Sequence, residues 1–424
     1  MSEPCRNQGD VGADRGSRRL QVRSVPVDDP GDGFIGQIPV PAALAWVRQS
    51  AGLVAWGEAA RVNLPAGADR FTAGEKWLRE VVDGVDVDDQ VRRRGSGFVA
   101  FGSFTFDDAS EGSVLIVPRT ILGRDGTGNA WLTTIGSASR PVPAEDLVAP
   151  AGIRWHDGAL TGLEWEQAVA EALRRIAYSA DLRKVVLARD LHASAEGPID
   201  ARVLLRRLAV RYPGCFTFAC DGLVGATPEL LISRDGWKAS ALVLAGTAPR
   251  GATMAEDAEL ARALLGSAKE NEEHQYAAAS LRDALAPVCQ AMYVTPSPEL
   301  IRLANVQHLG TRVRGTLAAS RSALALAAAM HPTAAVGGTP TNLAVELISE
   351  LESMDRGRYA GPVGWVDANG NGEFGIALRC AQLEGNRARL FAGCGIVAGS
   401  DPAAELAETQ AKFSPMRAAL EHPG

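Results

Sequence analysis

Residues 361–397 read GPVGWVDANGNGEFGIALRCAQLEGNRARLFAGCGIV, and this stretch decides the fold class. Asn369-Gly370 and Asn371-Gly372 fall between runs of alternating polarity, and Glu384-Gly385-Asn386 supplies a second reversal. Asn-Gly pairs provide the positive φ that tight hairpins demand. Successive antiparallel strands are therefore expected from Gly361 to Val397, followed by a helix from about Ala403 to Leu420.

Upstream, helical periodicity alternates with short apolar runs. Helices are expected near Glu164–Ser179, Ile199–Tyr212, Ala255–Leu265, Ala268–Leu285, Ser322–Ala329 and Asn342–Leu351, with strands at Lys184–Arg189, Phe216–Cys220 and Leu230–Arg234. Between residues 40 and 150 β-like runs recur (Leu53–Trp56, Gly97–Phe106, Ser113–Val117, Trp131–Ile135), with one helix near Gly74–Val82. Antiparallel strands with separate helices indicate an α+β fold rather than a doubly wound parallel sheet. Residues 1–33 are polar and nearly free of large apolar side chains, which predicts a disordered tail. Residues 34–150 form a β-rich half, the Pro- and Gly-bearing segment Val142–Asp157 links it onward, and residues 151–424 hold the remaining elements.

Composition excludes several function classes. The 424 residues are 46% hydrophobic and 22% charged, with a formal net charge of -7. That is a soluble globular composition, and the negative balance with only short basic clusters argues against nucleic acid as a partner. Six cysteines and six histidines show no CxxC or HExxH spacing, so no zinc or redox site is indicated. No apolar run is long enough to span a membrane and the N-terminus lacks a signal-peptide core, so a cytoplasmic location is expected.

Four carboxylates stand out by spacing. Glu270 and Glu273 are three apart in one expected helix and Glu405 and Glu408 three apart in another, so each pair projects from one face. If the helices face each other, their oxygens suit Mg²⁺, which takes carboxylates, waters and substrate oxygens. Any single Glu-x-x-Glu pair more often lies on a solvated surface. Gly393-Cys394-Gly395 with Gly399 resembles a dinucleotide turn, but too few residues follow for the rest of that unit. These glycines and Gly246 instead allow backbone N–H groups to approach an anionic ligand. Lys184 opens an apolar strand and Glu229 sits in a short loop before Leu230-Leu231-Ile232. Partial burial would give a neutral amine and a neutral acid.

The blocks KVVLAR (184–189), TPELL (227–231), LAGTAPRG (244–251), SAKENEEH (267–274), VQHLGT (306–311), MHPTAAVGGTP (330–340), MDRGRYAGPVGW (354–365), ALRCA (377–381), RLFAGCGIV (389–397) and ELAETQAKFSPM (405–416) resemble, in this order, the chorismate-utilising enzyme family. The resemblance implies one compact unit of two packed antiparallel β-sheets with helices on the outside. It implies Lys184 as the water-activating base and Glu229 as the acid. Glu273 and Glu408 would be Mg²⁺ ligands, with Glu270 and Glu405 acting through water or beside them. Gly246, Thr247, His331, Tyr359, Arg379, Gly393, Gly395 and Lys412 would hold the substrate.

Within that family, Lys184 favours water over ammonia as nucleophile, and Ala245 stands where aminodeoxychorismate synthases resemble this chain but carry a nucleophilic lysine. The resemblance is thus to isochorismate synthases: isomerases that add water at C2 of chorismate as the C4 hydroxyl leaves, for menaquinone or siderophore synthesis. Such an enzyme is expected to act as a monomer without a glutamine amidotransferase subunit. The alternative is a salicylate synthase, which continues to salicylate and pyruvate; those relatives tend to carry threonine where this chain has Ala335. A catalytically silent scaffold would have lost one of Lys184, Glu229, Glu273 and Glu408, and all four are present.

Overall fold

The computed structural model describes residues 19–136, 143–304 and 306–421. The chain's closing strands are Pro362–Asp367, Gly372–Ile376, Cys380–Glu384 and Arg387–Ile396. They form two hairpins rather than one meander. Pro362–Asp367 pairs with Gly372–Ile376, and Cys380–Glu384 with Arg387–Ile396, while the second and third strands do not pair with each other. Between them the chain steps across the molecule through Ala377, Leu378 and Arg379, the last at φ 49°.

That step reflects the architecture. Two arms of antiparallel sheet leave the strand Val114–Arg124. The first runs through Ala51–Asn63, Ala43–Arg48, Phe216–Cys220, Leu223–Thr227, Cys380–Glu384, Arg387–Ile396 and Lys184–Ser194. The second runs through Val99–Ser103, Pro362–Asp367, Gly372–Ile376, Leu230–Asp235, Lys238–Pro249 and Val306–Leu317. The expected two sheets are therefore joined by hydrogen bonds at one shared strand. Their inner faces share one apolar core in which Trp46 and Phe218 of the first arm meet Phe101 and Phe374 of the second. Trp46 Nε1 also donates to Glu373 Oε2 at 2.7 Å.

Residues 20–33 correct the expectation of a tail. Leu20–Val27 is a strand, antiparallel to Ala130–Ile135 and parallel to Val85–Asp89. Val22 is fully buried, and buried Ser24 meets Thr133 Oγ1 at 2.6 Å. One apolar side chain and a satisfied hydroxyl suffice because the neighbouring strands supply the rest of the core. Residues 1–18 lie outside the described residues. The expected link is also partly structured, since Arg154–Asp157 pairs with Lys184–Ser194; Val142 lies outside the described residues.

The helices pack outside the arms. Gly162–Tyr178 opens with a reciprocal capping box between Thr161 and Glu164, satisfying two backbone donors at its first turn. Its Trp165 is completely buried and donates to Ala188 O at 3.2 Å. Two helices matter most for function. Ala268–Leu285, capped by Ser267, covers Lys238–Pro249, and Pro402–Glu421 covers Arg387–Ile396. They carry the two Glu-x-x-Glu pairs, one over each arm.

Candidate active site

Two crossings between the arms place two functional side chains. Leu223–Thr227 ends in the first arm and Leu230–Asp235 starts in the second, so Pro228 and Glu229 bridge them; Arg379 lies on the return crossing. Both face a cavity between the arms, which Val186, Gly393 and Gly395 line from one side and Leu244, Thr247 and His308 from the other. Tyr359, Glu273, Lys412, Ala335 and Val336 complete it. About 50 Å³ is open, room for a few waters.

Lys184 is 0% exposed. Its Nζ lies 3.1 Å from Glu273 Oε1, an ion-pair contact whose angles do not make a hydrogen bond, and no other described group serves it. Gly395 leaves room for this contact. A Cβ on Gly395 would stand 2.2 Å from Glu273 Oε1 and 2.8 Å from Lys184 Cε. On Gly393 it would approach Leu187 O to 2.9 Å and the Tyr359 hydroxyl to 3.1 Å.

Glu229 is buried, and burial pushes its carboxyl up to about 8 against the opposing influence of the Leu244 N–H and of Lys184, Arg379 and Lys412. It is thus a neutral acid at pH 7. Tyr359 stacks on Phe391 at 5.0 Å, and burial raises its phenol. Gly246 occupies a bulge: Ala245 pairs with Leu309 and Thr247 with His308, leaving Gly246 as the extra residue at φ 78°. The turn aims Thr247 N at Glu270 Oε2, 2.8 Å away, and sets Thr247 Oγ1 3.1 Å from His308 Nδ1.

The two glutamate pairs do face each other, through a lysine. Lys269 Nζ lies 2.6 Å from Glu405 Oε1 and 3.4 Å from Glu270 Oε1. Lys412 Nζ contacts Glu408 Oε1 at 2.5 Å and donates to Gly393 O at 2.9 Å. Burial raises the Glu270 carboxyl, and the nearby Glu273 charge adds to it. At Glu408 burial works the same way, but Lys412 and Lys269 outweigh it and hold the carboxyl below its usual range. Among the described residues no three His, Cys, Asp or Glu side chains form a ready-made metal cage; the expected convergence of all four glutamates is not seen. The donor chemistry nonetheless fits Mg²⁺, which needs only one or two carboxylates and keeps several waters. Glu405 Oε2 is buried without a partner, as a carboxylate that serves a cation through water would be.

One expected site residue lies elsewhere. His331 packs against Phe71 and Phe106, its Nε2 is 2.9 Å from Phe106 O, and it is not part of the cavity wall. The cavity histidine is His308, in the block VQHLGT. Burial, with the Arg379 and Lys412 charges, drives its pKa down to about 3, so it is neutral and its Nε2 has no partner. Sequence reasoning missed it because both histidines sit in similar apolar blocks, and Val306–Thr311 is buried throughout, with no alternation to single out His308. Lys269, inside SAKENEEH, was also passed over.

The chain is similar to known proteins. Isochorismate synthase MenF of Bacillus subtilis is 35% identical over 379 residues, 82% of this chain and 80% of that protein. Isochorismate synthase DhbC of the same organism is 43% identical over 269 residues, 61% of this chain and 67% of that protein. The solved structure of MenF, the menaquinone-specific isochorismate synthase from Escherichia coli, superimposes with a TM-score of 0.78 at 25% identity, covering 95% of each chain. The family model described as chorismate binding enzyme matches residues 45–421, a span that takes in both arms, both crossings and every cavity residue named above, and the chain therefore belongs to the chorismate-binding enzymes.

Proposed function

We propose that this chain is an isochorismate synthase, an isomerase that converts chorismate to isochorismate with Mg²⁺. The observation that carries this reading is a buried, neutral glutamic acid on the cavity, Glu229, with a fully buried lysine, Lys184, just behind its wall, 3.1 Å from cavity-lining Glu273. Adding water at C2 while a hydroxyl leaves C4 requires one group to take a proton and another to give one.

In this mechanism Lys184 Nζ takes a proton from the water that attacks C2. The ring double bonds shift, and Glu229 gives its proton to the departing C4 hydroxyl. The enolpyruvyl ether is untouched. Arg379 offers a planar fork suited to a bidentate grip on a carboxylate. Tyr359, Thr247, Lys412 and the backbone around Gly246 and Gly393–Gly395 orient the rest of the substrate. Glu273 and Glu408 would hold Mg²⁺, with Glu270 and Glu405 beside it through water; bound there, the ion neutralises the ring carboxylate and stabilises charge developing in the conjugated system. Neither ammonia nor an amidotransferase partner is needed. The deciding assay is incubation with chorismate and Mg²⁺, without ammonia or glutamine, and chromatographic separation of isochorismate, salicylate and anthranilate. Unchanged chorismate, or turnover that appears only when ammonia is added and yields anthranilate, would overturn the reading.

A further inference from the structure

The strand that begins at Lys184 has a full partner on one edge only. Arg387–Ile396 pairs with it across ten positions. On the other edge Gly338–Thr339 reaches Lys184 and Val185, Gly337 O takes the Val186 N–H at 2.8 Å, and Arg154–Asp157 covers Leu191–Ser194. Between those partners the edge is met by two side chains. Arg356 Nη2 donates to Val186 O at 2.7 Å, and Ala188 N donates to Glu352 Oε1 at 2.7 Å.

The same pair reaches Val336, another residue of the cavity lining. Arg356 Nη1 donates to Val336 O at 2.8 Å and its Nε to Glu352 Oε2 at 2.8 Å. Their side chains are 2% and 1% exposed, and the Phe106 ring covers the guanidinium at 4.2 Å. Buried ion pairs are weak stabilisers against apolar replacements of similar volume, so stability alone does not account for one here. Apart from the bonds between the two side chains, Arg356 instead bonds the backbone of two cavity-lining residues, Val186 and Val336, and Glu352 bonds the backbone of Ala188.

We propose that Glu352 and Arg356 are positioning residues for proton transfer: their side chains replace the missing stretch of strand partner, fixing Val186 and Ala188 against Val336 so that Lys184 is held in register over the cavity. This rests on the reading of Lys184 as the base. Neither residue lines the cavity, so neither touches substrate. Loosening the pair alters where the amine points, not what the substrate's carboxylates contact.

Two variants test this. Arg356→Lys keeps the charge opposite Glu352 but cannot donate to Glu352, Val186 and Val336 together. The double variant Glu352→Met with Arg356→Met removes both charges at similar volume. Circular dichroism and melting establish that they fold, and R356K decides the matter whatever the double variant does. In an enzyme whose wild type forms isochorismate, the expected result is kcat lowered on the order of 10²-fold, as for about 1 Å of misplacement, with KM within about twofold. A folded R356K with wild-type kcat, or one that loses only KM, would overturn the proposal. Wild type that forms no isochorismate would instead sink the functional reading on which it rests.

Discussion

Lys184 Nζ and Glu273 Oε1 stand 3.1 Å apart, and Gly395 is the residue that lets them meet. Any side chain at 395 would occupy the space of both the carboxylate oxygen and the lysine stem. Gly395→Ala should therefore leave the fold intact, because the surrounding ladder to Lys184–Ser194 is unchanged, while lowering kcat by roughly 10²-fold through misplacement of both groups. Steady-state rates beside a circular dichroism spectrum check this; a folded variant with native kcat would show that the contact does not matter to turnover.

Lys184→Ala and Glu229→Gln should each be folded and nearly inactive, since a positioned base or acid contributes on the order of 10²–10⁴-fold. The glutamine keeps the shape of Glu229 but cannot release a proton at that step. Initial rates with saturating chorismate and Mg²⁺ measure the loss. Retention of more than about a tenth of the wild-type rate by either variant removes that residue from its role.

The acid also sets the expected pH dependence. Burial lifts the Glu229 carboxyl to about 8, and its protonated form is the active one. Activity is therefore held below that value and lost, with one proton, as pH rises through about 8. A kcat/KM profile with a rising rather than falling limb near there would contradict the assignment. The residual activity of Glu229→Gln should lack this limb altogether.

Much of this was legible in sequence, and the failures have physical causes. The helix Ala268–Leu285 is read correctly to the residue, because its cap and polar face are local signals. Glu229, Arg379 and the glycines Gly246, Gly393 and Gly395 line one cavity, and Lys184 lies behind its wall against Glu273. Leu20–Val27 was illegible because its only fully buried apolar residue is Val22, with Ser24 buried through a hydroxyl pair; the apolar alternation of Leu20 and Val22 breaks at Ser24. His331 was expected in the pocket but packs against Phe71 and Phe106, while His308 lines the cavity; which histidine reaches it follows only once the strands are paired. The step from one arm to the other between Ile376 and Cys380 was hidden for the same reason: each hairpin is local, but the gap between hairpins is a property of the whole sheet.

Mg²⁺ should be required for turnover. Without a cation, the substrate's carboxylate would approach Glu273 and Glu408 with their charges only partly balanced by Lys269 and Lys412. Chelation should abolish isochorismate formation and added Mg²⁺ restore it. Glu273→Gln and Glu408→Gln should each weaken Mg²⁺ binding in calorimetric titration, by about tenfold or more. Undiminished turnover in fully metal-depleted enzyme would sink the metal assignment.

Product identity separates isochorismate synthase from its nearest rival. Salicylate forms when the C2 hydrogen of bound isochorismate moves to the enolpyruvyl methylene as the C3–O bond breaks and pyruvate leaves. A pocket wall that presses the enolpyruvyl group inward promotes that near-attack geometry. Here the wall is Ala335 and Val336, both on the cavity surface. Ala335 lacks the branched hydroxyl side chain that would push inward at that point, and the methyl leaves the enolpyruvyl group free to lie extended. Isochorismate is therefore the expected released product, with salicylate at most a minor component at neutral pH. Ala335→Thr should raise the salicylate fraction, because it restores the pressure on that wall. A time course at saturating chorismate decides: salicylate and pyruvate accumulating equally from the first turnovers of wild type would establish the salicylate synthase reading instead.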